Sequence, residues 1–183
     1  MASPESILDK LARAQHKFLR AAEVIPAELW KMPPQEGAWS AAEIIAHVMS
    51  VERSVIGAAE RIFQKQPKQI PVLKRFRLPF ALVEIRWVRM KTPIPLDPQL
   101  LREKEDMLAE LREVRGRTLG LIEETRSRDL TVYRWRHVFL GSLNAYEWFS
   151  FLASHQIRHE KQMREIARNL PGAISIAQKP AAK

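Results

Sequence analysis

The sequence predicts an all-α protein, a four-helix bundle with long crossover connections. Apolar residues recur at three- and four-residue steps along four separate stretches, the period of a helix with one buried face. Glycine is scarce, 6 in 183 residues, which disfavours a turn-rich β fold. Hydrophobic residues make up 46% of a chain long enough for one compact domain, so four such faces can bury one another.

The first helix is expected from Pro4 to Ile25. Ser3 is its N-cap, Pro4 takes the first helical position, and Pro26 marks its end. Its stripe is Leu8, Leu11, Phe18, Ala22 and Ile25. A loop through Pro33, Pro34 and Gly37 leads to Ser40-Ala41-Ala42-Glu43. That run is a capping box, so the second helix starts there and reaches Phe63, with Ile44, His47, Val48, Val51, Val55 and Ala58 as its stripe.

The third helix is expected after Asp97 as N-cap and Pro98, ending near Arg126, with Leu100, Leu101, Met107, Leu108, Leu111, Val114, Leu119 and Ile122 inward. Its Glu–Arg and Glu–Lys neighbours suit a solvated outer face. The fourth covers Asn144 to Asn169, with Trp148, Leu152, His155, His159, Met163 and Ile166 in line, and Pro171-Gly172 beyond it.

Two segments break the helical pattern. Residues 65–96 are Pro-rich and carry eight basic side chains against Glu84 alone, most of the net charge of +9; within them, Phe80 to Met90 has the pattern of a short amphipathic helix. Leu130 to Leu143 has the β-branched and aromatic content of a short strand or extended crossover. Residues 1–170 therefore read as a single bundle domain with a basic insert at 65–96, and 171–183 as a flexible tail.

There is no cysteine, which excludes disulfides and thiolate metal ligands and fits a reducing cytoplasm. MASPESILDK lacks the basic start and apolar run of a signal peptide, and no apolar stretch approaches the length of a transmembrane segment. The positive charge favours an anionic partner without choosing among nucleic acid, acidic lipid and a charged small substrate.

Three histidines occupy positions where an apolar residue is expected. His155 and His159 are four apart, so one helix face offers both imidazoles to a single ion. His47 follows Ile44 by three residues and precedes Val51 by four, so it also faces the core. Three imidazoles from two helices leave coordination positions open, the pattern of catalytic rather than closed structural zinc sites. Glu52 either orients an imidazole through its other nitrogen or is a surface carboxylate paired with Arg53 or Lys104. Gln162 lines the rim of the site or is exposed. Arg158 lies on another face, and His16 is solvated or hydrogen-bonded at the edge of its stripe. His137, in the crossover, has a structural role or supports a ligand from behind.

The stretch Gly141-x-Leu143-x-x-x-Glu147-Trp148, followed by His155-x-x-Arg158-His159-x-x-Gln162, resembles the DinB-like superfamily. So does Trp39-Ser40-x-x-Glu43-x-x-x-His47, and Arg134 to Gly141 is similar to that family's crossover. The likeness runs over roughly residues 5–168, and residues 65–96 match only as a long, variable connection. It implies an up-down-down-up helix order, a homodimer, and one nickel or zinc ion held by His47, His155 and His159. It also implies a group of metal-dependent enzymes that includes S-transferases using bacillithiol or mycothiol and a thiol-dependent isomerase.

The functional expectation is a metal-dependent enzyme acting on a small molecule. An open three-histidine site lowers the pKa of a bound water or thiol, which suits thiol S-transfer or hydrolysis. With no cysteine in the chain, the thiol must be a low-molecular-weight cosubstrate. The alternatives are a non-catalytic metal-binding or stress-related bundle, and a binder of nucleic acid or acidic membrane through the basic insert. The last is disfavoured, because residues 65–96 contain no recognisable nucleic-acid module.

Overall fold

The computed structural model describes residues 3–66 and 100–170. The Asp97–Pro98 helix start, the short helix at 80–90 and the tail at 171–183 lie outside those residues. Within them are four α-helices and one small antiparallel hairpin: α1 (Pro4–Glu23), α2 (Ala41–Phe63), α3 (Lys104–Glu124), β1 (Arg134–His137), β2 (Gly141–Asn144) and α4 (Ala145–Asn169). No helix among these is long and apolar enough to cross a membrane.

Local chemistry sets most of the helix ends. Ser3 caps α1 by accepting from the Ser6 N–H at 3.3 Å, with Pro4 at the first turn. The helix stops at Glu23, two residues before the expected Ile25, because the residue before Pro26 is driven out of the α region. Ile25 still packs fully buried. After a short 3-10 turn at Ala27–Leu29, Trp30 is buried, and its carbonyl accepts the Ala42 N–H at 3.0 Å, which pins the loop to the start of α2. Gly37 has φ +73°, a left-handed conformation that a side chain disfavours.

The expected capping box of α2 is present. The Ser40 N–H donates to Glu43 Oε2 at 2.7 Å, and the Glu43 N–H donates to Ser40 Oγ at 3.2 Å. A second box opens α4, where the Asn144 N–H donates to Glu147 Oε2 at 2.7 Å and the Glu147 N–H donates to Asn144 Oδ1 at 2.9 Å.

Helix α3 begins later than expected. Its first residue is Lys104, and Leu100 and Leu101 pack against the core from outside the helix. The start follows charge rather than a side-chain cap: Glu105 and Asp106 in the first turn suit the positive end of the helix dipole. Lys104 Nζ meanwhile donates to the carbonyls of Glu23 and Ile25, at 2.9 and 2.8 Å.

The crossover forms a hairpin rather than one extended strand, so the fold is mostly helical instead of strictly all-α. Strands β1 and β2 pair with Arg134 opposite Asn144 and His137 opposite Gly141, and Gly141 takes φ +89°.

The core has two apolar layers. One joins Phe18, Ala22 and Ile25 with Ile44, Ile45 and Met49, Met107 and Leu111, and Met163 and Ile166. The other joins Ile7 and Leu11 with Val55 and Ala59, Ile122, and Phe149 and Leu152. Between these stretches, in sequence, lie the buried polar residues Glu52, Arg115, Thr118 and Gln156.

Candidate metal centre

Helix α2 delivers His47 from the buried run Ile44–Met49, and α4 delivers His155 and His159 one turn apart. His47 and His159 are buried, and His155 is half-buried as a residue with its ring inside the cluster. The three rings meet through the same atom. His155 Nε2 lies 3.2 Å from His47 Nε2 and 3.2 Å from His159 Nε2, and the donor atoms of all three lie within 4.8 Å of one another. Three nitrogens about 2.0–2.1 Å from one tetrahedral ion are separated by about 3.3–3.4 Å, so the spacing fits a single divalent cation. The fold thus brings together the three histidines that interrupt the apolar stripes of the sequence.

The rings are chemically prepared to act as ligands. Gln162 Oε1 lies 3.0 Å from His159 Nδ1 and accepts its proton, which leaves the Nε2 lone pair facing the cluster. Gln162 is thus a bonded partner at the rim of the site. Burial pushes His47 down to about 4. His155 is held well below its ordinary value, first by burial and then by the nearby His159, His47, Arg158 and His137. Both are therefore neutral at neutral pH, the form that binds metal. Arg158, expected on a separate face, is close enough for its charge to act on His155.

Aromatic rings enclose the cluster. The Trp39 indole stacks on His159 at 6.3 Å and 13°, and tilts against His47 at 5.0 Å. Trp39 immediately precedes Ser40, the N-cap of α2. Phe151, one turn before His155, lies 5.4 Å from that ring. Behind it, His137 packs 4.6 Å from Phe151, while its Nδ1 accepts the N–H groups of Phe139 and Leu140 at 3.0 and 3.2 Å. His137 therefore ties the hairpin turn, and burial pushes its pKa down to about 4. His16 is exposed on α1.

Neither reading of Glu52 describes its position. It is 1% exposed, so it is not a surface carboxylate, and its bonds go to no imidazole. Oε1 accepts from Arg115 Nε at 2.8 Å and from the Thr118 hydroxyl at 2.6 Å, and Oε2 accepts from Arg115 Nη2 at 2.9 Å. Arg53 pairs instead with Glu110, and Lys104 with backbone carbonyls.

Arg115 is the residue that sequence reasoning missed. Nothing in the charge pattern of the third helix singles it out, yet it too is 1% exposed. A signal was present: Leu111, Arg115, Thr118 and Ile122 follow one another at three- and four-residue steps, which places the arginine inside the buried stripe.

The family model described as DinB superfamily matches residues 10–163. The chain is also similar to the uncharacterized protein YuaE of Bacillus subtilis (strain 168). The two are 24% identical over 141 residues, covering 76% of this chain and 84% of that one. No solved structure matches.

Proposed function

The chain belongs to the DinB superfamily, and from that membership and its converging imidazoles we propose that it is a metal-dependent enzyme in which His47, His155 and His159 hold one nickel or zinc ion. The observation that carries the reading is the pair of 3.2 Å Nε2 separations centred on His155. Imidazole suits both metals. A bound ion would stabilise the anion of a coordinated thiol or water at neutral pH.

Three neutral ligands leave the full charge of the ion in place, and no carboxylate of the cluster offsets it. Among the described residues Glu52 is committed to Arg115 and Thr118, so a general base in the chain is not the basis of the proposal. The reaction we favour is S-transfer from a low-molecular-weight thiol to a small electrophile: a bound ion would lower the thiol's pKa so that its proton passes to solvent before the sulfur attacks, no base in the chain is needed, and the thiol comes from solution because the chain has no cysteine. Hydrolysis by bound water is the second outcome on the same site. The aromatic walls of Trp39 and Phe151 suit an apolar part of the substrate.

The same proposal takes residues 1–170 as one up-down-down-up bundle that acts as a homodimer. The helix order is supported by the core layers: the end of α1 shares a layer with the starts of α2 and α3 and the end of α4.

Elemental analysis of the purified protein, with His155→Ala beside it, tests the site. Stoichiometric nickel or zinc in the wild type and its loss in the variant are expected; a wild type without transition metal would sink the proposal. Turnover of electrophiles with a panel of small thiols, and of ester and amide substrates without thiol, then separates an enzyme from a bundle that the metal only stabilises.

A further inference from the structure

We infer that Arg115 is a positioning residue for the three-histidine centre, fixing α2 against α4 and so fixing the distance from His47 to His155 and His159. The inference rests on the metal-site reading above and adds to it the element that sets its geometry.

One guanidinium in the middle of α3 bonds to each of the other three helices. Its Nε and Nη2 grip both oxygens of Glu52 on α2, at 2.8 and 2.9 Å. Nη2 also donates to Gln156 Oε1 on α4 at 3.0 Å, and Nη1 donates to the Leu11 carbonyl of α1 at 3.1 Å. Glu52 is five residues from His47, about 7.5 Å along the helix axis. Gln156 is the neighbour of His155. The arginine therefore holds one point on each ligand-bearing helix within about two turns of the ligands.

Apolar packing does not supply this. Burial of the two core layers is non-directional and imposes no single hydrogen-bonded register. A planar fork on a carboxylate is satisfied in one arrangement. Ligand nitrogens, in turn, tolerate errors of only about 0.2 Å in their distance to an ion. The guanidinium also sets which way the Gln156 amide faces. The amide Nε2 is buried without a hydrogen-bond partner, yet turning the amide over would aim that N–H group at the guanidinium. Nor is net stability a sufficient reason for the pair, since apolar replacement of a buried ion pair is often neutral or stabilising.

The test uses the full chain and cobalt(II) as the probe, because its visible spectrum reports ligand geometry. Three variants are compared with wild type: Glu52→Met with Arg115→Met, Arg115→Lys, and Ile122→Ala as a control in the other core layer. The double variant is expected to fold with a lowered urea midpoint, because Gln156 Oε1 and the Leu11 carbonyl lose their donor. Its cobalt dissociation constant should rise about tenfold or more, as when groups that orient ligands are removed, and its spectrum should change. Arg115→Lys should show a loss in the same direction. Ile122→Ala should lose stability and keep its affinity within about twofold.

Wild-type affinity and spectrum in the double variant, or in Arg115→Lys, overturn the inference. If the double variant does not fold, Arg115→Lys against Ile122→Ala decides: equal affinities overturn it, and weaker binding by Arg115→Lys alone upholds it. A wild type that takes up no cobalt instead defeats the metal reading itself, and this inference falls with it.

Discussion

Gln162 Oε1 accepts the Nδ1 proton of His159 across 3.0 Å, so one amide decides which nitrogen of that imidazole faces its neighbours. Substituting Gln162 with leucine frees the ring to turn and to change tautomer. Metal affinity should fall about 10- to 100-fold, the usual cost of removing a partner behind a ligand. Chelator competition measures it, and an unchanged dissociation constant would show that the hydrogen bond does not orient the ring. Gln162→Glu, which keeps an acceptor, should retain most of the affinity.

Metal removal should lower stability, because an ion bound only by the native state stabilises it by mass action. At a free metal concentration of about 100 times the dissociation constant the gain is about 2.7 kcal/mol. For a chain of this size that corresponds to about 5–10 °C in Tm. Thermal melts with and without chelator should differ by that amount in the wild type. In His47→Ala, which leaves only the α4 pair, the difference should shrink to about 1 °C or less. A His47→Ala protein with the full chelator effect would remove His47 from the ligand set.

The three converging histidines were legible in the sequence because their signals are local. His155 and His159 share one helix face, and His47 interrupts an apolar stripe just after a capping box. The box at Ser40 fixed the start of α2 to the residue. What was not legible depends on partners far apart in the chain. Arg115 and Glu52 are 63 positions apart, and a charged residue in an amphipathic pattern is assigned to solvent unless its partner is known. The start of α3 was misplaced for a related reason. Leu100 and Leu101 do reach the core, which their apolar character announced, but from outside the helix. The hairpin was half visible: residue types indicated extended chain, while the turn is held by His137, a side chain whose bonding the sequence does not reveal.

Acid should unfold the metal-free protein through its buried histidines. His47 and His137 are depressed to about 4 and His155 lies well below its ordinary value, all chiefly by burial. In the unfolded chain each returns to about 6.5. The unfolded state therefore binds more protons between those values. The stability held by each neutral ring is complete above about pH 6.5 and is lost progressively as pH falls below it towards about 4. Urea midpoints from pH 8 down to about 4.5, with chelator present, should fall along this limb. His137→Asn, which can still accept from the hairpin turn through its amide oxygen but does not titrate, should have a shallower limb. An unchanged slope in that variant would exclude His137 from the acid transition.

The two capping boxes stand at the starts of the two helices that carry the histidines, and their removal should separate stability from metal binding. Ser40 and Asn144 each accept the N–H of the third helical residue and receive a carboxylate in return. Alanine at either position removes only the side-chain half of the exchange, at a cost of about 1 kcal/mol. The caps belong to different helices and share no partner, so the double variant should lose about 2 kcal/mol, close to the sum. The ligands lie at least one helical turn further along and are held by their own contacts, so metal affinity should change by less than about twofold in Asn144→Ala. Ser40→Ala is the more demanding case, because Trp39 precedes the cap and stacks on His159. If Ser40→Ala weakens metal binding and Asn144→Ala does not, the cap of α2 also holds the indole against the site. Equal, small effects in both would confine the boxes to helix stability.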